Sequence, residues 1–257
     1  MTTPPGDPAE WGTPEGRAMI ELLWDPPAPA SRGPRQRLSL EKVVDAATDL
    51  AASEGIDGLS MRSLASRLGV GAMSLYTYVP GRDELFELMI DRAWASRQKP
   101  DPEMSWREQL EFHAHQAGAM YERSPWLIHA NLWRRPLGPH VLDIEEDLYR
   151  AVRLTGLPPD DVVRVAQLVE SHVFGVARGR ITDTSVSANT GVTPDEYWES
   201  RSSFWATYYS AERFPTMTWI WENQGFEQPL GEDLYFGLQR LLDGVDLLVR
   251  RSVPPTD

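Results

Sequence analysis

Apolar residues recur at helical spacing in several separate stretches of this chain. Leu40, Val43, Val44, Ala47, Leu50 and Ala51 fall three and four residues apart, which predicts an amphipathic helix from about 40 to 53. Gly55, Asp57 and Gly58 end it. A second short helix opens at Ser60, and Pro80-Gly81 makes a turn further on. Arg82-Asp83-Glu84 then starts a long connecting helix, running to about 97 and carrying Leu85, Leu88, Met89 and Trp94. Its early acids suit the positive end of the helix dipole. Val162, Val165, Val169, Val173 and Val176 form one later stripe, predicting a helix from about 159 to 182. Leu234, Leu238, Leu241, Val245 and Leu248 form another, with Gly237 and Gly244 beside it to allow close helix approach. The pattern predicts an all-α chain: an N-terminal three-helix domain and a helical-bundle body.

Residues 60–79 carry the most informative signal. Ala65 is small enough for a second helix to come close, and Gly69 can take the left-handed conformation that ends one helix and turns into the next. Leu75 anchors the following helix from beneath. Ala72, Met73, Ser74, Tyr76 and Thr77 are then free to face outward. This is a helix-turn-helix, whose second helix meets base edges in the major groove. A helical hairpin inside an ordinary bundle is the bland alternative.

Charge complicates this reading. The chain of 257 residues has a formal net charge of −13, which is unexpected for a DNA binder. Residues 32–82 nevertheless hold seven basic side chains against five acidic ones. Salt screens charges more than about 8–10 Å away, so the local balance governs phosphate contact. An acidic remainder either favours one docking face or simply keeps the protein soluble. No apolar run reaches membrane-spanning length, and no signal peptide precedes the first helix. The absence of cysteine excludes disulfides and fits a cytoplasmic protein.

The candidate DNA-contacting residues are Ser60, Arg62, Ala72, Met73, Ser74, Tyr76, Thr77, Tyr78 and Arg82, with Arg32, Arg35 and Arg37. Ser60 caps the second helix, and Arg62 lies early in it. Ala72 and Met73 offer only apolar contact, which suits thymine methyls. Tyr76 and Tyr78 can give hydroxyls to phosphates. Arg32, Arg35 and Arg37 sit in a Gly/Pro-punctuated arm that either enters the minor groove or serves as a linker. Before the arm, residues 14–24 read as a short helix with Thr13 as cap and Pro14 at its first position. Its apolar side is expected to dock on the protein's own surface.

The segment Gly55-Ile56-Asp57-Gly58-Leu59-Ser60-Met61-Arg62, with Leu68-Gly69-Val70 and Leu75-Tyr76-Thr77-Tyr78-Val79, resembles the DNA-binding head of the TetR family of bacterial repressors. The likeness spans residues 38–95. Ser105-Trp106, Arg135-Pro136 and Phe236 through Gly244 resemble, more weakly, the tetracycline-repressor type of C-terminal domain. The resemblance implies a homodimer that leaves operator DNA when a small molecule binds. It implies an N-terminal extension at 1–37, a DNA-binding domain at 38–82, a ligand-binding and dimerisation domain at 83–251, and a tail at 252–257. It places Arg82 as a phosphate-binding base. It places His113, Ala117, Asn131 and Arg134 at pocket-lining positions, with Trp133 beside them and His172 on a later helix. The family's tetracycline binders hold a magnesium ion with a histidine where this chain has Asn131, so neither a metal nor a cofactor is expected.

The ten tryptophans, most of them in the body, suit a pocket for a flat, antibiotic-like effector, although core packing accounts for any one of them. No HExxH, GxSxG, GxGxxG or Walker loop appears, so the chain does not read as an enzyme. The expected function is ligand-responsive repression of an efflux or biosynthesis gene. A ligand-insensitive architectural DNA binder and a drug-sequestering protein are the alternatives.

Overall fold

The computed structural model describes residues 12–27, 38–131, 134–227 and 233–252, and among them regular structure is entirely helical. The chain packs as two compact units, Met1–Leu154 and Thr155–Asp257. Packing therefore does not divide at the 82/83 boundary expected from sequence. The DNA-binding head shares a unit with the connecting helix and the two helices that follow it.

In the first unit, α1 (Pro14–Trp24) opens as expected: Thr13 accepts a bond from the Gly16 amide, and Pro14 occupies the first turn. Its buried Met19 and Leu23 face the protein, and it packs against the connecting helix α5 (Arg82–Ala93). The Trp24 indole N–H donates to the Leu137 carbonyl at 2.7 Å. The head is built from α2 (Leu40–Gly58), α3 (Met61–Leu68) and α4 (Ala72–Leu75). Gly55 breaks α2 with φ 75°, a left-handed angle that glycine adopts without strain. Ser60 caps α3 by accepting from the Ser63 amide, while the Ser63 hydroxyl accepts from the Ser60 amide. That reciprocal box normally uses Glu or Gln at its second position. Gly69 ends α3 at φ 66°, ψ 32°. Leu64, Leu75 and Val79 are fully buried beneath the turn. Each such side chain stabilises the head by about 1.5–3 kcal/mol.

α5 continues into a 3-10 turn, Trp94–Ser96, and leads to α6 (Trp106–Arg123), capped by a Ser105–Glu108 box. α7 (Pro139–Arg153) packs on α6 and α5. Trp126 is buried edge-on against Phe86 at 5.7 Å between ring centres.

In the second unit, α8 (Pro159–Thr190) runs beyond the expected end near 182, and α12 (Asp233–Ser252) lies along it. Val165, Val169 and Val173 are buried, as are Leu238, Leu242 and Val245. α8 and α12 thus bury part of each stripe within one protomer, with Leu242 buried where Leu234, Leu241 and Leu248 are only half-buried. Between these helices come α9 (Pro194–Glu199), α10 (Ser203–Thr207) and α11 (Pro215–Glu222). Their aromatic residues stack mainly on one another, as in the Trp205–Trp221 and Tyr209–Phe214 pairs. Trp198, Trp219 and Trp221 are exposed. Four of the ten tryptophans thus lie in this unit, three of them exposed.

Candidate nucleic-acid interface and effector-binding face

One side of α4 is committed to the core and the other to solvent. Leu75 is fully buried, whereas Met73 is 78% exposed and Tyr76 47% exposed. Ser74 and Thr77 are exposed, and Ala72 is half-buried. The Thr77 hydroxyl donates to the Ser74 carbonyl at 2.7 Å, which closes the turn after α4. On α3, Arg62 and Arg67 are exposed. Local rules dictate this arrangement: a left-handed glycine sets the angle between helices, and one leucine fixes the rotation of the second. Arg32, Arg35 and Arg37 lie outside the described residues.

Two candidates have internal partners instead. The Arg82 guanidinium donates through Nε to the Leu59 carbonyl at 2.8 Å and through Nη2 to the Ile56 carbonyl at 2.9 Å. The physical reason is that Ile56 and Leu59 lie at the C-terminal end of α2, where the last carbonyls lack full helical pairing and take donors from elsewhere. Arg82, expected as a phosphate-binding base, thus fastens the start of α5 to the corner before α3 while staying exposed. The Tyr78 hydroxyl likewise donates to the Leu38 carbonyl at 3.3 Å, holding the end of the recognition element to the beginning of the head. Arg82→Ala is expected to destabilise the head by about 1–3 kcal/mol, because charged hydrogen bonds to carbonyls are lost. Operator affinity should fall with it while the salt slope stays constant. Arg82→Lys should not restore stability, since an ammonium cannot reproduce the two-pronged geometry. Urea denaturation beside a salt titration of DNA binding checks this. A slope lowered by about one unit at unchanged stability would return Arg82 to the phosphates.

The body residues expected to meet an effector separate into groups. His113 and Ala117 are buried on one face of α6, while His115 is exposed on another. Two residues on, a helix has turned through about 200°. Asn131 and Arg134 are exposed in the segment before α7, and Trp133 lies outside the described residues. His172, half-buried on α8, has an internal partner. Its Nε2 lies 3.0 Å from the Leu234 carbonyl. A side chain on Gly237 would come within 2.8 Å of that nitrogen. His172 therefore seats α12 against α8, and Gly237 is the close approach that admits the imidazole. Among the described residues, no three His, Cys, Asp or Glu side chains are grouped to hold a metal ion.

Sequence reasoning missed a joint between the connecting helix and α7. Asp91, buried on α5, accepts backbone N–H bonds from His140 and Val141 at 3.0 Å each, capping α7 from a distance. Burial pushes its carboxyl above the ordinary carboxylate value, against the lowering effect of those two amides and of His140. Just past α5, the buried guanidinium of Arg97 meets Asp143 at 2.8 Å and Asp147 at 2.6 Å, both on α7. Asp91 gave one local signal, an acid among Leu88, Met89 and Ile90, which are all buried.

An outward-facing recognition helix on buried anchors, joined by a single helix to an all-helical body, defines a DNA-binding transcriptional regulator rather than an enzyme. The chain belongs to the tetR family of bacterial regulatory proteins. The model of that family's DNA-binding domain matches residues 43–89, and the tetracyclin repressor-like C-terminal domain matches residues 99–249. The HTH-type transcriptional repressor DrrR1 of Streptomyces coeruleorubidus is 38% identical over 232 residues, 90% of this chain and 85% of that one. Apo ActR from Streptomyces coelicolor superposes with a TM-score of 0.71 at 24% identity, covering 86% of this chain and all of that one. ActR in complex with actinorhodin gives 0.68 at 25% identity over 82% of this chain and 96% of that one. Among the described residues, no helix is long and apolar enough to cross a membrane.

Proposed function

We propose that the protein represses transcription as a homodimer on a palindromic operator and leaves it when a small aromatic molecule binds the body. The observation that carries this is α4, whose Leu75 is fully buried while its neighbour Met73 is 78% exposed. A soluble head that holds a methionine and a tyrosine outward on a rigid helix presents them to a groove. In this reading Ala72, Met73, Ser74, Tyr76 and Thr77 meet bases and flanking phosphates. Arg62, placed by the Ser60 cap, meets a phosphate, and Arg32, Arg35 and Arg37 follow the minor groove. Tyr78 and Arg82 hold the head in shape. The effector face is that of His113 and Ala117, with Asn131 and Arg134 near its rim, and His172 has no part in it. The actinorhodin complex of ActR supports an aromatic effector, and the name of DrrR1 supports repression.

Since Val165, Val169, Val173, Leu238 and Val245 are already buried in the protomer, the dimer would use the outer sides of α8 and α12. Leu168, Phe236 and Leu247 are exposed there, and Gly244 has nothing within 4 Å. Sedimentation equilibrium reads the dimer directly.

The experiment for the whole proposal is a pair of titrations with DNA from upstream of the gene. The protein should prefer a palindromic fragment to a scrambled one at physiological salt. A compound that releases it should bind free protein more tightly than operator-bound protein, by the factor with which it weakens DNA binding, typically about 5–150-fold. No preference for the palindrome would end the repressor reading. Equal ligand affinities with and without operator would leave a DNA-binding protein with an unrelated cavity.

A further inference from the structure

A cleft of about 300 Å³ opens between the end of the connecting helix and α6, beside the face that carries the buried His113 and Ala117. That volume lies at the small end of the range for ligand sites. Its apolar lining comes from Trp94, Phe112 and Met120, with Ala119 at the centre of the α6 wall. Its charged lining is His115, Arg123 and Arg97, and no acidic side chain contributes. In a chain of net charge −13, an acid-free cleft with three basic residues is a local inversion of sign. Arg97 is neutralised by Asp143 and Asp147 on α7, so His115 and Arg123 are the groups that face a ligand. Glu111, one turn before His115, is turned to Arg107 at 3.4 Å. His115, Ala119 and Arg123 are four residues apart and so form one row along α6. The other wall is fixed by a reciprocal pair. The Gln98 amide donates to Gln116 Oε1 at 2.7 Å, and Gln116 Nε2 donates to the Gln98 carbonyl at 2.9 Å.

We propose that this cleft binds a small planar aromatic carboxylate. The ring lies against Trp94 and Phe112 with the carboxylate on Arg123 and His115. The shape suits one or two fused rings. A guanidinium offers a carboxylate two parallel N–H donors, and an imidazole N–H adds a third. The site goes beyond the effector face proposed above, because neither His113 nor Ala117 lines it. Its binding does not depend on whether that face, or the operator, is correctly assigned. One wall of the cleft is the segment carrying Arg97, so an occupant borders the tie between the connecting helix and α7.

The test is calorimetric titration of the full chain, without DNA, using 2-naphthoate and its neutral analogue 2-naphthamide. Naphthoate should bind saturably, and the amide about tenfold more weakly, as expected on losing a charge-assisted pair. Arg123→Gln should weaken naphthoate by about the same factor and leave the amide unchanged. Ala119→Trp, which fills the cleft from a half-buried position, should abolish both. Thermal melts of the variants check that each is folded. No naphthoate binding at millimolar concentration would overturn the site. So would equal naphthoate affinities in wild type, Arg123→Gln and Ala119→Trp, which would put the ligand elsewhere in the body.

Discussion

Gly138→Ala is expected to unseat α7 from the connecting helix and to cost about 2–4 kcal/mol. A side chain at 138 would come under 3.0 Å from Oδ1, Cγ and Cβ of Asp91, 2.9 Å in the last case. Asp91 cannot swing aside, because two amides at 3.0 Å hold it and its own Cβ is part of the conflict. Either the cap on α7 is lost or the two backbones separate. A lost cap costs about 0.5–2 kcal/mol and overpacking about 1–3 kcal/mol. For a chain of this size the melting temperature should fall by roughly 4–16 °C. A melt within a degree or two of wild type would show that the joint gives way freely. The same joint has a pH signature. Because burial raises the Asp91 carboxyl in the folded protein, its protonated form is favoured there over the unfolded chain. Its contribution is therefore fully present below the ordinary carboxylate range and is lost as pH rises through the raised value. Asp91→Asn keeps a carbonyl acceptor and carries no charge. Urea midpoints of wild type should fall relative to Asp91→Asn across that window, and parallel profiles would remove the effect of burial.

Arg97→Met should be as damaging, at about 3–5 kcal/mol, the usual cost of removing one partner from a buried ion pair. The Arg97 side chain is 7% exposed and Asp147 9% exposed, so neither reaches water freely. Asp147 would keep only Arg150, at 2.7 Å and itself 45% exposed. The double variant Arg97→Met with Asp147→Leu should be less destabilised than the two single losses summed, because no orphaned charge remains. Denaturant titrations of the four proteins supply the cycle. Strict additivity, or a loss below about 1 kcal/mol for Arg97→Met, would reduce the pair to an ordinary surface contact.

These interactions explain what the sequence revealed and what it concealed. Ser60, Gly69 and Leu75 were legible because each acts within a few residues: a serine satisfies the next turn, a glycine takes φ 66°, a leucine repeats on one face. Arg82, Asp91 and Arg97 were not, since their partners stand 23 to 50 residues away. Nothing nearby distinguishes a buried arginine from an exposed one. The contact of His172 was hidden for the same reason, as its partner Leu234 is 62 positions on. Composition counts rings, but rings that stack on one another in the 197–226 stretch need no pocket at all.

The hydrogen bond from Trp24 to Leu137 gives the N-terminal extension a structural job beside the DNA contact proposed for Arg32, Arg35 and Arg37. Leu137 immediately precedes the Gly138 that receives Asp91, so α1 holds the lip of the same joint from outside. A chain shortened to begin after Arg37 would lose the basic arm and this brace together, and a weakened DNA complex would have two causes. Neutralising Arg32, Arg35 and Arg37 in place leaves the brace intact, while Trp24→Phe leaves the arm intact. A bulky fusion at the amino end would load the brace, so purification tags belong at the other end of the polypeptide.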